Sequence, residues 1–231
     1  MNISESINGL TNQDSNVRLI SANALGNIGP AACPAVDSLI SMLDDESFEV
    51  CRAAATALGK IGHMAEKSIM SLLRIMKIDD PRTNSIASSM PEVLAGLFPP
   101  LSMLSAQHEM AYMLADCLSH NNEDIRYAAA YGLSKLIVRS PALNQLIESL
   151  SDDSPSVRFW CSASLRDMGV EISPAVDSII EKFMLDDENM CFNLVDAIFN
   201  CIEIMPNTKG KLIDLAQTSP EYLRKYIYSI V

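Results

Sequence analysis

A block of about twenty residues recurs along this chain, and nothing else in the sequence limits its fold as strongly. LTNQDSNVRLISANALGNIG from Leu10 aligns with LDDESFEVCRAAATALGKIG from Leu43, LSHNNEDIRYAAAYGLSKLI from Leu118, LSDDSPSVRFWCSASLRDMG from Leu150 and MLDDENMCFNLVDAIFNCIE from Met184. Successive starts are 33, 75, 32 and 34 residues apart, so the 75-residue gap holds two repeats and about nine extra residues. A second echo has its own constant offset: PAVDSLI at Pro34 and PAVDSII at Pro174 are 140 residues apart, as are Gly29 and Gly169. A period in this range is the mark of a stacked-repeat architecture.

Each copy reads as two helices. A first apolar-periodic stretch, such as Ala35 to Leu43 or Leu143 to Leu150, runs into an acidic turn, and a longer helical stretch follows. In the first copy Val17, Ile20, Ala24, Leu25 and Ile28 share one arc of a helical wheel and are expected to be buried. One hairpin cannot cover its own apolar stripe, so neighbours must stack on it. The expected fold is all-α, a solenoid of about six to seven helical hairpins, treated as one unit over residues 1–231. Between Asp79 and Leu104 four prolines, Pro81, Pro91, Pro99 and Pro100, break the pattern, and Pro91 would interrupt any single long helix. The third repeat is therefore expected to be irregular, with residues 79–104 as a candidate hinge.

The pattern of VR, alanines, ALG and IG after an acidic turn resembles the short HEAT-like repeat of phycobilisome bilin lyases and many bacterial scaffolds. ALGNIG and ALGKIG are its best-matched pieces, and the resemblance covers roughly Leu10 to Met76 and Ala111 to Glu203. Neither TPLHxA nor the aromatic pattern of tetratricopeptide arrays is present. The resemblance implies a ladder in which the acid of one repeat meets the arginine of another. Arg18, Arg126 and Arg158 occupy one repeat position, with Asn12, His120 and Asp152 six residues earlier. Asp45 and Asp186 continue the acid row where Cys51 and Phe192 are read as replacing the arginine, so the ladder is expected to be partial and structural.

Charge narrows the function classes. The chain has 17 Lys plus Arg against 29 Asp plus Glu, a net charge of −12, with 48% apolar residues. That excess of acid argues against phosphate backbones and anionic membrane surfaces as partners. No apolar run approaches the roughly 18 residues a membrane span needs. The start, MNISESINGL, lacks the features of a signal peptide, so a cytoplasmic monomer is expected. The six cysteines are scattered, with no CxxC pair, and read as small hydrophobes. His63, His108 and His120 share no metal-ligand spacing, so neither a metal nor another cofactor is expected.

The turns carry Asp44, Asp45 and Glu46; Asp79 and Asp80; Glu123 and Asp124; Asp152 and Asp153; and Asp186, Asp187 and Glu188. Capping helix starts needs about one such residue each, so the surplus is expected to form an acidic ridge that attracts a basic protein. On the second helices, the equivalents of positions 19, 22, 23 and 26 are expected to face outward. These are Tyr127, Ala130, Tyr131 and Ser134 in the fourth copy and Phe159, Ser162, Ala163 and Arg166 in the fifth. Second helices line the concave face in solenoids of this kind, so Tyr127, Tyr131, Phe159, Arg166 and Arg52 are candidate partner-binding anchors. Trp160 is expected in the core, and SPEYLRKYIYSIV, with Tyr222, Tyr226 and Tyr228, as a closing helix.

Catalytic signatures are wanting. The sequence has no P-loop, GxSxG or HExxH. A single His108–Glu109 pair falls short of the four that HEAT-type di-iron hydroxylases use, and HEAT-like DNA glycosylases are basic where this chain is acidic. The expected function is a non-catalytic module binding a basic partner protein, in one concrete form a bacterial immunity-type neutraliser or scaffold. The alternative, from the resemblance, is bilin lyase or phycobilisome handling.

Overall fold

The computed structural model describes residues 2–78, 81–98, 105–183 and 187–231. They hold fifteen α-helices and no strand. Two compact units emerge, Met1–Leu136 and Ile137–Val231. The boundary lies well beyond the 79–104 segment read as a candidate hinge, of which 79, 80 and 99–104 fall outside the described residues.

Unit 1 contains four helical pairs. These are α1 (Ile3–Gly9) with α2 (Ser15–Ile28), α3 (Val36–Ser41) with α4 (Phe48–Ile61), α5 (Ile69–Met76) with α6 (Pro81–Ala87) and α7 (Met90–Leu97), and α8 (Gln107–Cys117) with α9 (Glu123–Lys135). Unit 2 contains three: α10 (Leu143–Glu148) with α11 (Pro155–Met168), α12 (Val176–Glu181) with α13 (Glu188–Phe199), and α14 (Asn207–Thr218) with α15 (Glu221–Ile230). The second helices stack in the order α2, α4, α7, α9 in the first unit and α11, α13, α15 in the second.

The irregular third pair follows from proline chemistry. Its second helix is split at Ser88 and Ser89, and Pro91 sits at the start of α7, where a missing amide donor costs nothing. Both pieces pack on α4. Three second helices end in a glycine with positive φ, Gly29 at 69°, Gly62 at 72° and Gly169 at 57°. With ψ between −127° and −147°, this is a conformation open essentially to glycine alone. Each is followed by a seven-residue 3₁₀ segment, Gly29–Ala35, Gly62–Ser68 and Gly169–Ala175, that turns the chain into the next first helix.

Burial within the second helices is set by the stack. Counting from the first helical residue, the eighth position is buried in α2, α4, α9, α11 and α13, at Ala22, Ala55, Ala130, Ser162 and Val195, and exposed only at Tyr228 of α15 among the unbroken second helices. This corrects the expectation that Ala22, Ala130 and Ser162 face outward; Ser162 lies at the seam with α13, where Asn193 donates to its hydroxyl. The expected arc in α2 is also displaced. Its buried residues are Arg18, Ser21, Ala22, Leu25 and Gly26, while Ile20 is 56% exposed. The sixth position, held by Ile20, is buried at Ala53 and Asn193, and Asn193 there meets Ser162 of the preceding second helix. Trp160, at that position in α11, is half-buried rather than core and meets Phe159 edge to face, ring centroids 5.0 Å apart.

Small residues let the unit 1 helices approach closely. A Cβ on Gly96 would lie 2.1 Å from the Gly59 carbonyl oxygen, and one on Gly59 would lie 2.7 Å from Val93 Cα. One on Gly26 would lie 3.0 Å from Ala57 Cα. These obstacles are backbone atoms, so a methyl group on Gly59 or Gly96 must push α4 and α7 apart, and one on Gly26 α2 and α4. Gly96→Ala is expected to destabilise unit 1 by about 1–3 kcal/mol, read by urea unfolding. Gly210→Ala, in α14 with nothing within 4 Å of the new methyl, is expected to stabilise by about 0.5–1 kcal/mol.

Candidate partner-binding surface

The turns before α2, α4, α9 and α11 are each closed by one side chain placed two residues ahead of the cap. Asn12 Oδ1 accepts the Asp14 amide at 2.9 Å, Asp45 Oδ1 the Ser47 amide at 2.9 Å, His120 Nδ1 the Asn122 amide at 3.0 Å and Asp152 Oδ1 the Ser154 amide at 2.8 Å. Asp, Asn and His serve alike because the turn requires only an acceptor. Asp14, Asn122 and Asp187 cap their own helices as well.

The arginine at the fourth helical position joins its own turn to that of the next pair. Arg18 Nη1 donates to the carbonyls of Asn12 and Gln13 at 2.9 and 3.0 Å, while Nε and Nη2 grip Asp45 at 2.7 and 2.8 Å. Arg158 repeats this with the carbonyls of Asp152 and Asp153 and with Asp187, its Nε 2.7 Å from Oδ2. Arg126 holds the carbonyls of His120 and Asn121. Cys51 imitates part of the contact, its Sγ 3.1 Å from the Asp45 carbonyl oxygen. In α13 the fourth position is Cys191, so Phe192 is not the residue standing in for arginine, as the sequence alignment had it, but lies one place later.

These contacts divide the acidic residues. The side chains of Asp45 and Asp187 are 6% and 12% exposed and committed to the ladder. Asp44, Glu46, Asp153 and Glu188 are exposed, Asp152 is half-buried over its own turn, and Asp186 lies outside the described residues. Asp44 approaches Arg82 at 3.4 Å and Glu46 approaches Arg18 at 3.3 Å.

The outward row of the second helices is their fifth position: Leu19, Arg52, Tyr127, Phe159 and Phe192, none of them buried. In unit 1, Arg52 lies exposed on α4, and Tyr127 and Tyr131 lie half-buried on α9. The Lys135 ammonium sits 5.0 Å from the centre of the Tyr131 ring. Burial first, and Tyr127 second, raise the Tyr131 phenol above its ordinary value. In unit 2, Phe159 is 38% exposed. Arg166 donates to Asn193 Oδ1 at 2.7 Å and to Asp167 at 3.0 Å, and Asn193 donates in turn to Ser162 Oγ at 3.0 Å. Arg166 thus ties α11 to α13 and shows only part of its guanidinium to solvent.

Three residues outside the original anchor set complete the unit 2 surface. Phe192 on α13 meets Tyr222 and Tyr226 of α15 edge to face, with centroids 5.8 and 4.8 Å apart. The Tyr226 hydroxyl donates to Asp196. Burial, then that bond and the charge behind it, push the Tyr226 phenol up to about 12. The spacing of Tyr222 and Tyr226, one helical turn apart, was the available sequence signal.

Burial pushes the Cys117 thiol up to about 12 and those of Cys51, Cys161 and Cys201 upward too, so these are not thiolate nucleophiles. Among the described residues no group of three or more His, Cys, Asp or Glu could hold a metal ion, and no helix is long and apolar enough to cross a membrane.

Comparison with known proteins agrees with this geometry. The family model described as HEAT repeats matches residues 3–90. That segment is therefore similar to HEAT repeats. No curated protein matches the sequence. Among solved structures, an engineered protein is similar at 19% identity, with 88% of this chain and 98% of that chain covered and a TM-score of 0.68. A designed armadillo repeat protein in complex with the peptide (KR)4 follows at 15% identity, 87% and 100% coverage and a TM-score of 0.62. A computationally designed armadillo repeat protein for modular peptide recognition has 15% identity, 99% and 98% coverage and a TM-score of 0.59. At these identities the likeness is one of fold, an all-α solenoid, and no catalytic family is indicated.

Two predictions follow the ladder. Arg158→Ala is expected to cost about 2–3 kcal/mol, because it strands a mostly buried carboxylate and two turn carbonyls; calorimetry on the variant would read it, with partner choice unaltered. Burial raises the pKa of Asp45, but the Arg18 hydrogen bonds and the Ser47 amide outweigh it and hold the carboxyl below its ordinary 3.8. Its stabilisation is therefore complete above about pH 4 and is lost as the pH falls through the folded-state value. Asp45→Asn is expected to flatten the fall in unit 1 stability below pH 4, measured by denaturant titrations across pH.

Proposed function

We propose that this chain is a non-catalytic repeat module that binds a basic protein on the face formed by its second helices. Arg52, Tyr127 and Tyr131 are the anchors on unit 1, and Phe159 and Arg166 those on unit 2. The observation that carries the reading is the fifth-position row. Among second helices whose other repeat positions are settled by packing, α4, α9, α11 and α13 hold Arg, Tyr, Phe and Phe where a short polar residue would serve the fold equally well. Tyr, Phe and Arg are the side chains that concentrate binding energy at interfaces. The net charge of −12 and exposed Asp44, Glu46, Asp153 and Glu188 favour a basic partner. A fold neighbour bound to a (KR)4 peptide accords with this choice. An immunity-type neutraliser that covers a basic toxin or effector domain is the concrete biological form, and a cytoplasmic scaffold the broader one.

Bilin handling, suggested by the repeat resemblance, would require a cavity able to hold and orient a tetrapyrrole. The larger grooves found, of about 220 to 360 Å³, lie open between successive first helices, away from the row of anchors. Incubation with phycocyanobilin, with no absorbance shift and no transfer to an apo-phycobiliprotein, would discard it.

Co-purification from the native host tests the main reading. Tyr131→Ala is expected to reduce partner capture about tenfold or more, in line with the loss of a central aromatic anchor, and raising the ionic strength to weaken it further. Full retention of the partner by Tyr131→Ala, or binding indifferent to salt, would count against the anchors or the electrostatic part respectively.

A further inference from the structure

The proposed function leaves open how a cationic partner would be gripped, and the α13–α15 face of unit 2 supplies a mechanism. Tyr222 and Tyr226 lie one turn apart on α15 and both stand nearly perpendicular to Phe192, with interplanar angles of 79° and 75°. All three rings are half-buried, so part of each remains open to solvent. Each end of the cluster is anionic. Tyr226 holds the half-buried Asp196 carboxylate, and Tyr222 lies in the field of Glu188 and Asp187, behind Cys191. Nearby basic groups have other engagements. Arg224 donates to the carbonyls of Ala216 and Ser219 at the end of α14, and Lys225 pairs with Glu221. Arg166, whose charge reaches Tyr226, is bonded to Asn193 and Asp167.

Aromatic faces bordered by carboxylates attract cations, and a planar guanidinium can lie on a ring while donating to a carboxylate beside it. A lysine ammonium satisfies the first requirement but not the two-pronged second. Building on the proposal of a basic partner, we infer that Phe192, Tyr222 and Tyr226, with Asp196, form the seat for an arginine side chain of that partner. Phe192 belongs to the fifth-position row, so this seat continues the proposed binding face and adds α15 to it.

The test uses the full chain and calorimetric titration with hexa-arginine, hexa-lysine and hexa-glutamate peptides at 150 mM salt. Hexa-arginine is expected to bind more tightly than hexa-lysine, and hexa-glutamate not at all. Tyr222→Leu and Asp196→Asn are each expected to weaken hexa-arginine binding about five- to thirtyfold, while the paired change Glu92→Gln with Glu109→Gln, two exposed acids of unit 1, leaves it within about twofold. Tyr226→Phe, which keeps the ring and releases the carboxylate, guards against a variant that merely misfolds and is expected to fall between wild type and Asp196→Asn. Wild-type affinity in both Tyr222→Leu and Asp196→Asn would overturn the seat, as would an equal loss from the Glu92 and Glu109 changes, which would signal diffuse charge attraction. If both seat variants bind as wild type while Tyr131→Ala still loses the native partner, the seat falls and the broader reading stands. If the partner survives Tyr131→Ala but is lost with Asp196→Asn, the Tyr131 anchor falls and the seat stands.

Discussion

A helical hairpin of this length cannot cover its own apolar stripe, and the rest of the structure follows from that shortage. Each second helix must be covered on both flanks by its neighbours and from behind by its own first helix, which leaves one narrow strip for water. The eighth position is given to the seam, the fourth to the turn ladder and the fifth to solvent. Where flanks meet most closely, side chains shrink to nothing, as Gly59 and Gly96 do. Choice of residue is therefore free only along the outer strip, which is why large aromatic residues there carry information that the same residues at a seam would not.

The same stacking changes what the charges mean. A formal surplus of twelve acids describes a sequence, whereas the folded chain withdraws selected members of both signs. Arg18 with Asp45 and Arg158 with Asp187 are turned inward, pairing turn to turn at about 30 residues' separation and satisfying carbonyls that would otherwise be orphaned. Such pairs fix register more than they add net stability, because desolvation offsets much of their attraction. What remains facing solvent includes Asp44, Glu46, Asp153 and Glu188, and this residue set, rather than the full acidic turn, can act at a distance on a partner.

Much of the architecture was legible because it repeats. The period predicted about six to seven hairpins, and Pro91 the interruption of the third repeat. The failures share a cause. Ile20 is expected in the core because its helical wheel is apolar, but a wheel describes one helix and cannot tell which of its flanks a neighbouring helix covers. Phe192 falls in the arginine row of the alignment because the step taken there is 34 residues, whereas the helix starts Pro155 and Glu188 are 33 apart, and one residue is about 100° around the helix. Cys191 holds the position instead.

That slip of one residue also hid the surface of greatest interest. With Phe192 in its true register, it joins Arg52, Tyr127 and Phe159 in the outward row, and the two tyrosines of α15 become its partners rather than features of an isolated closing helix. Tyr226 and Asp196 are 30 residues apart and belong to different pairs, so their hydrogen bond is invisible to any local motif. A repeat sequence states its scaffold many times over, once in each copy. A site built where copies meet is written once, in residues whose proximity only the stacking creates, so the scaffold can be read before the structure is known and the site cannot.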